Sequence, residues 1–208
     1  MKKLGCVLGV VVLSVLLGCA QQQSPAPATP QFIAASKPTP VGQPAQRQLY
    51  TAYNIWIVPA HNMKCINYKY GRNILPAGTP VQKVHIGEDQ KPPQDYIGFE
   101  TAGDNKKFKI YYQPSWHPGR EIEDFKDKMF TSQTFQEMTA GLSQEEIDAI
   151  RAGQIVDGMT AKAVLIAYGY PPEHRTPSLD RKIWVYWSNK LTSFNVCFDE
   201  NQETVICK

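Results

Sequence analysis

The sequence predicts an α+β protein. A small β-rich module over residues 49–140, ending in a helical connector, is followed over 141–208 by two helices and a three-stranded antiparallel sheet. Three observations carry this expectation. Short runs rich in Tyr, Ile, Val and Phe recur between Leu49 and Tyr112, bounded by Gly, Pro, Asn or Asp. Two consecutive helix signatures with their caps lie between Ser143 and Gly169. Three apolar and aromatic runs separated by polar turns close the chain. Helices followed by a meander pack as two layers.

The N-terminal segment belongs to neither module. Met1-Lys2-Lys3 precedes an apolar run from Leu4 to Leu17, the charged start and apolar centre of a secretory leader. The run is shorter than the ~20 residues a membrane span needs. It ends Leu16-Leu17-Gly18-Cys19, which resembles the bacterial lipobox: an aliphatic residue at −3, a small one at −1, then the obligatory cysteine. The resemblance implies that residues 1–18 are a signal peptide and that the Cys19 thiol receives a diacylglycerol. It also implies that the new amine is acylated, as with palmitate. Two acyl signals on one residue suffice for stable anchoring. Ala20, rather than Asp, follows the cysteine; by the same resemblance the anchor lies in the outer membrane and faces the periplasm.

Residues 19–48 form a lipidated, proline-rich tether carrying Pro25, Pro27, Pro30, Pro38, Pro40 and Pro44. Such a composition builds no core and makes an extended spacer, reaching at most about 90 Å at ~3.1 Å per residue. The formal charge of +3 falls to +1 once Lys2 and Lys3 leave with the signal peptide. No nucleic acid partner is expected from such a balance. Membrane lipid, met through the Cys19 acyl chains, is the expected membrane contact.

In the β-rich module the strands are expected over 49–58, 63–70, 81–86, 96–100 and 108–112, with a hairpin turn at Asp104-Asn105. Leu75-Pro76-Ala77-Gly78-Thr79-Pro80-Val81 reads as a turn entering a strand, and resembles turns of bacterial SH3-like envelope modules. Ile122, Phe125 and Met129 fall at helical spacing in the charged segment that follows, giving the connector helix. Lys106, Lys107 and Lys109 are expected to form a solvated hairpin.

The second module has stronger local signals. Ser143 with Glu146 forms a capping box, Leu142 with Ile147 a hydrophobic staple, and Gly153 a C-terminal stop. Thr160 caps the next helix, with Ala161, Val164, Leu165 and Tyr168 expected on its buried face; Gly169 and Pro171-Pro172 end it. Strands follow over 182–187, 192–198 and 203–207, the first two joined by a turn at Asn189-Lys190.

The residues Gly158-Met159-Thr160, Ala163-Val164, Tyr168-Gly169-Tyr170-Pro171, Trp184-Val185-Tyr186-Trp187 and Phe194-Asn195-Val196-Cys197-Phe198-Asp199 resemble the BamE/SmpA-type (SmpA/OmlA) outer-membrane lipoprotein domain. The resemblance covers roughly residues 142–208. In that family a Gly-Met-Thr turn opens the second helix and a Leu-Gly-x-Pro motif closes it. Tyr168 stands here in place of that Leu. The resemblance implies a role in outer-membrane protein assembly.

Catalytic chemistry leaves no signature. His61, His85, His117 and His174 show no metal-ligand spacing, so neither metal nor cofactor is expected. Cys65 sits in a strand-like context and His174 in a loop expected at the surface. Once Cys6 leaves and Cys19 is lipidated, Cys65, Cys197 and Cys207 remain in a compartment that permits disulfides. Cys197–Cys207 is the expected bond. A loop of Asp199 to Gln202 would put the two on opposite faces, and a five-residue loop would set them only diagonally, about 7–8 Å apart. The bond therefore requires a longer loop or a bulge.

The expected function is a non-enzymatic, lipid-anchored scaffold or interaction module serving outer-membrane assembly or envelope integrity, with an envelope protein as partner. Trp184, Tyr186 and Trp187 are its candidate contact surface, since alternation cannot bury all three. The alternatives are a peptidoglycan-associated binder and an inhibitor of a secreted enzyme.

Overall fold

The structure is a computed structural model that describes residues 47–58, 63–69, 73–201 and 203–207. The signal peptide, Cys19, almost all of the tether, and His61 lie outside the described residues.

The fold class is not the expected one. Among the described residues, four α-helices accompany a six-stranded sheet and two smaller sheets. The molecule is mixed α/β and richer in strand than a small β-barrel followed by a two-helix module. The excess has an identifiable source. Strand β5 (Pro80–Gln90) and strand β6 (Pro93–Thr101) run 11 and 9 residues and pair antiparallel out to Gln90↔Pro93. The apolar pattern ends at Ile86, but backbone ladder bonds do not need apolar side chains, so the hairpin continues through polar residues.

The large sheet has the order β3-β7-β6-β5-β1-β8. Strand β1 (Leu49–Thr51) lies between β5 and β8 (Phe130–Thr131). Strand β7 (Lys107–Tyr111) pairs with β6 and, in parallel, with β3 (Met63–Lys64). Helix α1 (Ile122–Met129) buries Ile122, Phe125 and Met129 against Val81, Ile97, Phe99, Phe108 and Ile110, forming the first core. The expected strand over 63–70 stops at Lys64, because Asn67 has φ 53° and turns the chain. The expected strand over 49–58 is broken, and its second half, β2 (Ile55–Trp56), joins β4 (Ile74–Leu75) in a two-stranded ribbon. Ile55 and Leu75 enter the first core, whereas Trp56 and Ile74 enter the second.

The second core is built on α3 (Gln144–Ala152) and α4 (Ala161–Tyr168), with a single-turn α2 (Phe135–Met138) beside them. Thr134 and Glu137 form the capping box that starts α2, a helix not among those expected from the sequence. The caps of α3 are Ser143, Glu146 and Gly153, as the sequence indicates. Gly153 is left-handed at φ 60°, and a Cβ there would lie 2.7 Å from the Trp56 ring, so no other residue fits without displacing the ribbon. The buried side of α4 comprises Ala163, Val164, Ile166, Ala167 and Tyr168, a wider face than its spacing suggested, with Leu165 only half-buried.

A three-stranded sheet, β11-β10-β9, covers these helices with β9 (Ile183–Trp187), β10 (Ser193–Phe198) and β11 (Val205–Cys207). Ser193 pairs with Trp187, so the link is a five-residue loop over 188–192 rather than a two-residue turn. Asn189 organises it, its Oδ1 accepting from the Leu191 and Thr192 amides.

Two asparagines join the cores. The Asn54 amide group, 1% exposed, donates to the Ile150 and Ala167 carbonyls and accepts from the Ala77 amide. Asn67 donates to the Asn54 and Tyr168 carbonyls and accepts from the Trp56 amide. Buried amides satisfied at this many positions fix one arrangement of the segments they connect.

Candidate functional site

The expected contact strand divides between interior and surface. Trp184 and Tyr186 are each 3% exposed and face the helices. The Trp184 ring packs 4.5 Å from Phe198, and the Tyr186 hydroxyl donates to the Gly169 carbonyl at 2.9 Å. Both therefore leave the candidate surface, which β-alternation permits only for Trp187. Trp187 is half-buried and stacks on His174, so His174 is not the free surface residue expected.

Gly158, Met159 and Thr160 form a seam. The Gly158 amide donates to the Val205 carbonyl, and the Val205 amide donates back to Met159. Met159 is fully buried, and the Thr160 hydroxyl accepts from the Ala163 amide as the cap of α4. The motif thus ties β11 to the start of a helix.

Cys197 and Cys207 are disulfide-bonded, with Cα atoms 4.9 Å apart. Phe198 pairs with Val205 while Cys197 pairs with Cys207, so a register shift at Ile206 supplies the required bulge. Cys65 is buried and unbonded. Burial pushes its thiol up to about 12, which disfavours the nucleophilic thiolate.

A charged cluster joins the α1 region to the segment after α4. Glu173 accepts from His117 Nδ1 and, at 2.8 Å, from Lys128, with Arg120 4.0 Å away. Burial acts to raise the Glu173 pKa, but these donors overcome it and hold the carboxyl at about 2. Beside the cluster lies a cleft of about 570 Å³. Its floor includes Tyr53, Phe130, Met138 and Ile166, and its charged lining of Arg120, Lys128, Lys162, Asp124 and Asp127 carries both signs.

A different surface was not anticipated at all. Sheet register aligns side chains from β5, β6 and β7 in rows on the face opposite the first core. Gly87, Tyr96 and Tyr111 make one row, His85, Gly98 and Lys109 the next, and Glu100 and Lys107 part of a third. The His85 ring lies across Gly98, where a Cβ would come within 2.6 Å of Nε2, and Tyr96 lies equally close over Gly87. The glycines leave the room that the two rings occupy, and the rings meet edge to face, their planes 83° apart. Lys109 sits 4.0 Å above the Tyr96 ring and Lys64 sits 4.9 Å above Tyr111. Lys109 and the Tyr111 hydroxyl both donate to Asp89 and keep its carboxyl below the ordinary range. Lys83 does the same for Glu100, with Lys107 at 3.9 Å. A depression of about 360 Å³ lies over Gly98 between these groups. A hairpin of alternating Lys and aromatic residues read as solvated because the partners on β5 were invisible without the register.

No family model matches the chain, and no curated protein or solved structure matches it either. Among the described residues no group of three or more His, Cys, Asp or Glu side chains is placed to hold a metal ion, and no helix is long and apolar enough to cross a membrane.

Proposed function

We propose that the chain is a non-enzymatic, lipid-anchored envelope protein. Held at the outer membrane through Cys19, it presents a folded interaction module to periplasmic partners in outer-membrane assembly or envelope integrity. The observation that carries the reading is how the cysteines are disposed. Cys19 completes a lipobox ahead of a proline-rich tether, and Cys197–Cys207 is a disulfide, a bond that persists in oxidising compartments and is rare in the cytosol. The resemblance of residues 142–208 to the BamE/SmpA type supports the same compartment.

The test is labelled-palmitate incorporation together with membrane fractionation. Label and membrane association should both vanish in Cys19→Ser, and crosslinking of the wild type in intact envelopes should capture a defined envelope protein. Unlabelled wild-type protein in the soluble fraction would sink the anchor, and crosslinking that recovers nothing above an untagged control would sink the interaction role.

A further inference from the structure

Strand β5 leaves most of one edge unpaired. Among the described residues its neighbour on that side, β1, meets it only through Leu49↔Val81 and Tyr50↔Pro80, whereas β6 lines the other side out to Gln90. The ladder with β1 stops at Gln48, whose side-chain amide donates to the Val81 carbonyl, so a side chain rather than a further backbone amide meets that group. Lys83 has φ 53° at the register shift between Gln82 and His85, and the pairing with β6 is regular from His85 to Gln90. Alternate residues of such an edge turn N–H and C=O groups away from the sheet, a template for another strand.

The charges along this edge select the strand that fits. Lys83 stands at its start, with Lys107 beside it around Glu100. Glu88 and Asp89 stand at its far end, with Asp95 directly across from Glu88. Lys83 and Asp89 lie equally far from Ile86 along the strand, one on each side. An antiparallel copy of the same edge, turned about a two-fold axis at Ile86, therefore sets Lys83 of each copy against Asp89 of the other and Ile86 against Ile86. The faces match as well. Lys83 reaches Glu100 and Asp89 reaches Lys109 and Tyr111, all on the open face, while Ile86 packs toward the first core. The bonds already made leave donors on the Lys83 ammonium and lone pairs on the Asp89 carboxylate. A parallel copy would set like charges side by side. The chain's own tether fails on the same ground, because continuing β1 backwards from Leu49↔Val81 would place Arg47 opposite Lys83.

We propose that two copies of this chain pair antiparallel through the β5 edge, Lys83 to Asp89 of one against Asp89 to Lys83 of the other, making one sheet continuous across both. The contact is isologous, so it closes at two copies and does not propagate. From Lys83 to Asp89 it spans about 20 Å at the rise of a strand. This self-association goes beyond the envelope reading and does not depend on it.

Sedimentation of the purified full chain in excess non-ionic detergent reads the mass whether or not Cys19 is acylated, and a dimer is expected at micromolar concentration. Lys83→Glu and Asp89→Lys should each weaken it about tenfold, since each opposes like charges twice across the axis. Mixed in equal parts, the two variants should regain wild-type affinity, because the reversed charge at position 83 of one copy then meets the reversed charge at position 89 of the other. Mixing cannot restore the ion pairs that each variant loses within its own chain, so the recovery reports the contact between copies. Oxidation of cysteine variants reads the register. Val84→Cys and Glu88→Cys face each other across the axis, within disulfide reach, and should crosslink when mixed, whereas neither should crosslink with itself. Unaltered circular dichroism will show that the variants fold. A monomer at every concentration, the state expected if the edge takes another protein's strand or the tether, would overturn the proposal. So would a failure to recover on mixing, or self-crosslinking of either cysteine variant as fast as that of the mixture.

Discussion

Glu146 and Thr160, fourteen residues apart, join the first turns of two helices through one carboxylate. Oε2 accepts from the Ser143 amide and hydroxyl at the start of α3, and Oε1 accepts from the Thr160 amide and hydroxyl at the start of α4, at 2.9 and 2.7 Å. Burial opposes ionisation here, but the four donors hold the carboxyl below its ordinary value. Glu146→Ala removes a shared cap, and the expected loss is about 1–3 kcal/mol. Urea unfolding measures it. The double change with Thr160→Val should cost less than the sum of the two single changes, because they share one contact, but more than Glu146→Ala alone, because the Thr160 hydroxyl also caps α4.

Glu173 predicts how stability responds to acid. Its folded pKa of about 2 lies below the ordinary 4.5, so its contribution is present above about pH 4.5 and fades as pH falls toward 2. Glu173→Gln should lower the urea midpoint at pH 7 and flatten its decline across that window. A variant as steep as wild type between about pH 4.5 and pH 3 would contradict the role given to His117 and Lys128.

The strand β9 aromatics separate by stability. Trp184→Ala empties a core position and should cost about 3–5 kcal/mol. Trp187→Ala, on the half-buried side, should cost markedly less. Thermal unfolding of the two variants under one condition compares them directly.

The disulfide closes a short loop, Cys197 and Cys207 being 10 residues apart in sequence. Its loss in Cys197→Ser/Cys207→Ser should destabilise the protein by about 3 kcal/mol on the loop-entropy estimate. Under native, non-reducing conditions an alkylating reagent should leave the processed, lipidated protein unmodified, since Cys65 is buried. After denaturation without reductant, intact mass should show one added group per chain.

What the sequence revealed follows the range of the interactions involved. The caps at Ser143, Thr160 and Gly153 were legible because each is settled within four or five residues. The pairing of β1 with both β5 and β8 was not, since Tyr50 meets Pro80 and Thr131 and nothing local to Tyr50 reports either. Asn54 and Asn67 carry no signal in the sequence that sets them apart from other polar residues, yet their amides reach carbonyls about a hundred residues away. The basic, ring-bearing face was hidden for the same reason: Gly98 reveals its use only when His85 is known to lie beside it.

The β2–β4 ribbon has a consequence for heredity. Its alternating side chains serve two cores at once, Ile55 and Leu75 in one and Trp56 and Ile74 in the other. Gene fusion or exchange at a breakpoint near residue 140 would carry off the helices and leave their Trp56 and Asn54 partners behind. Residues 48 to 207 are therefore expected to pass through evolution as one indivisible unit, while the leader and tether ahead of them remain free to be swapped.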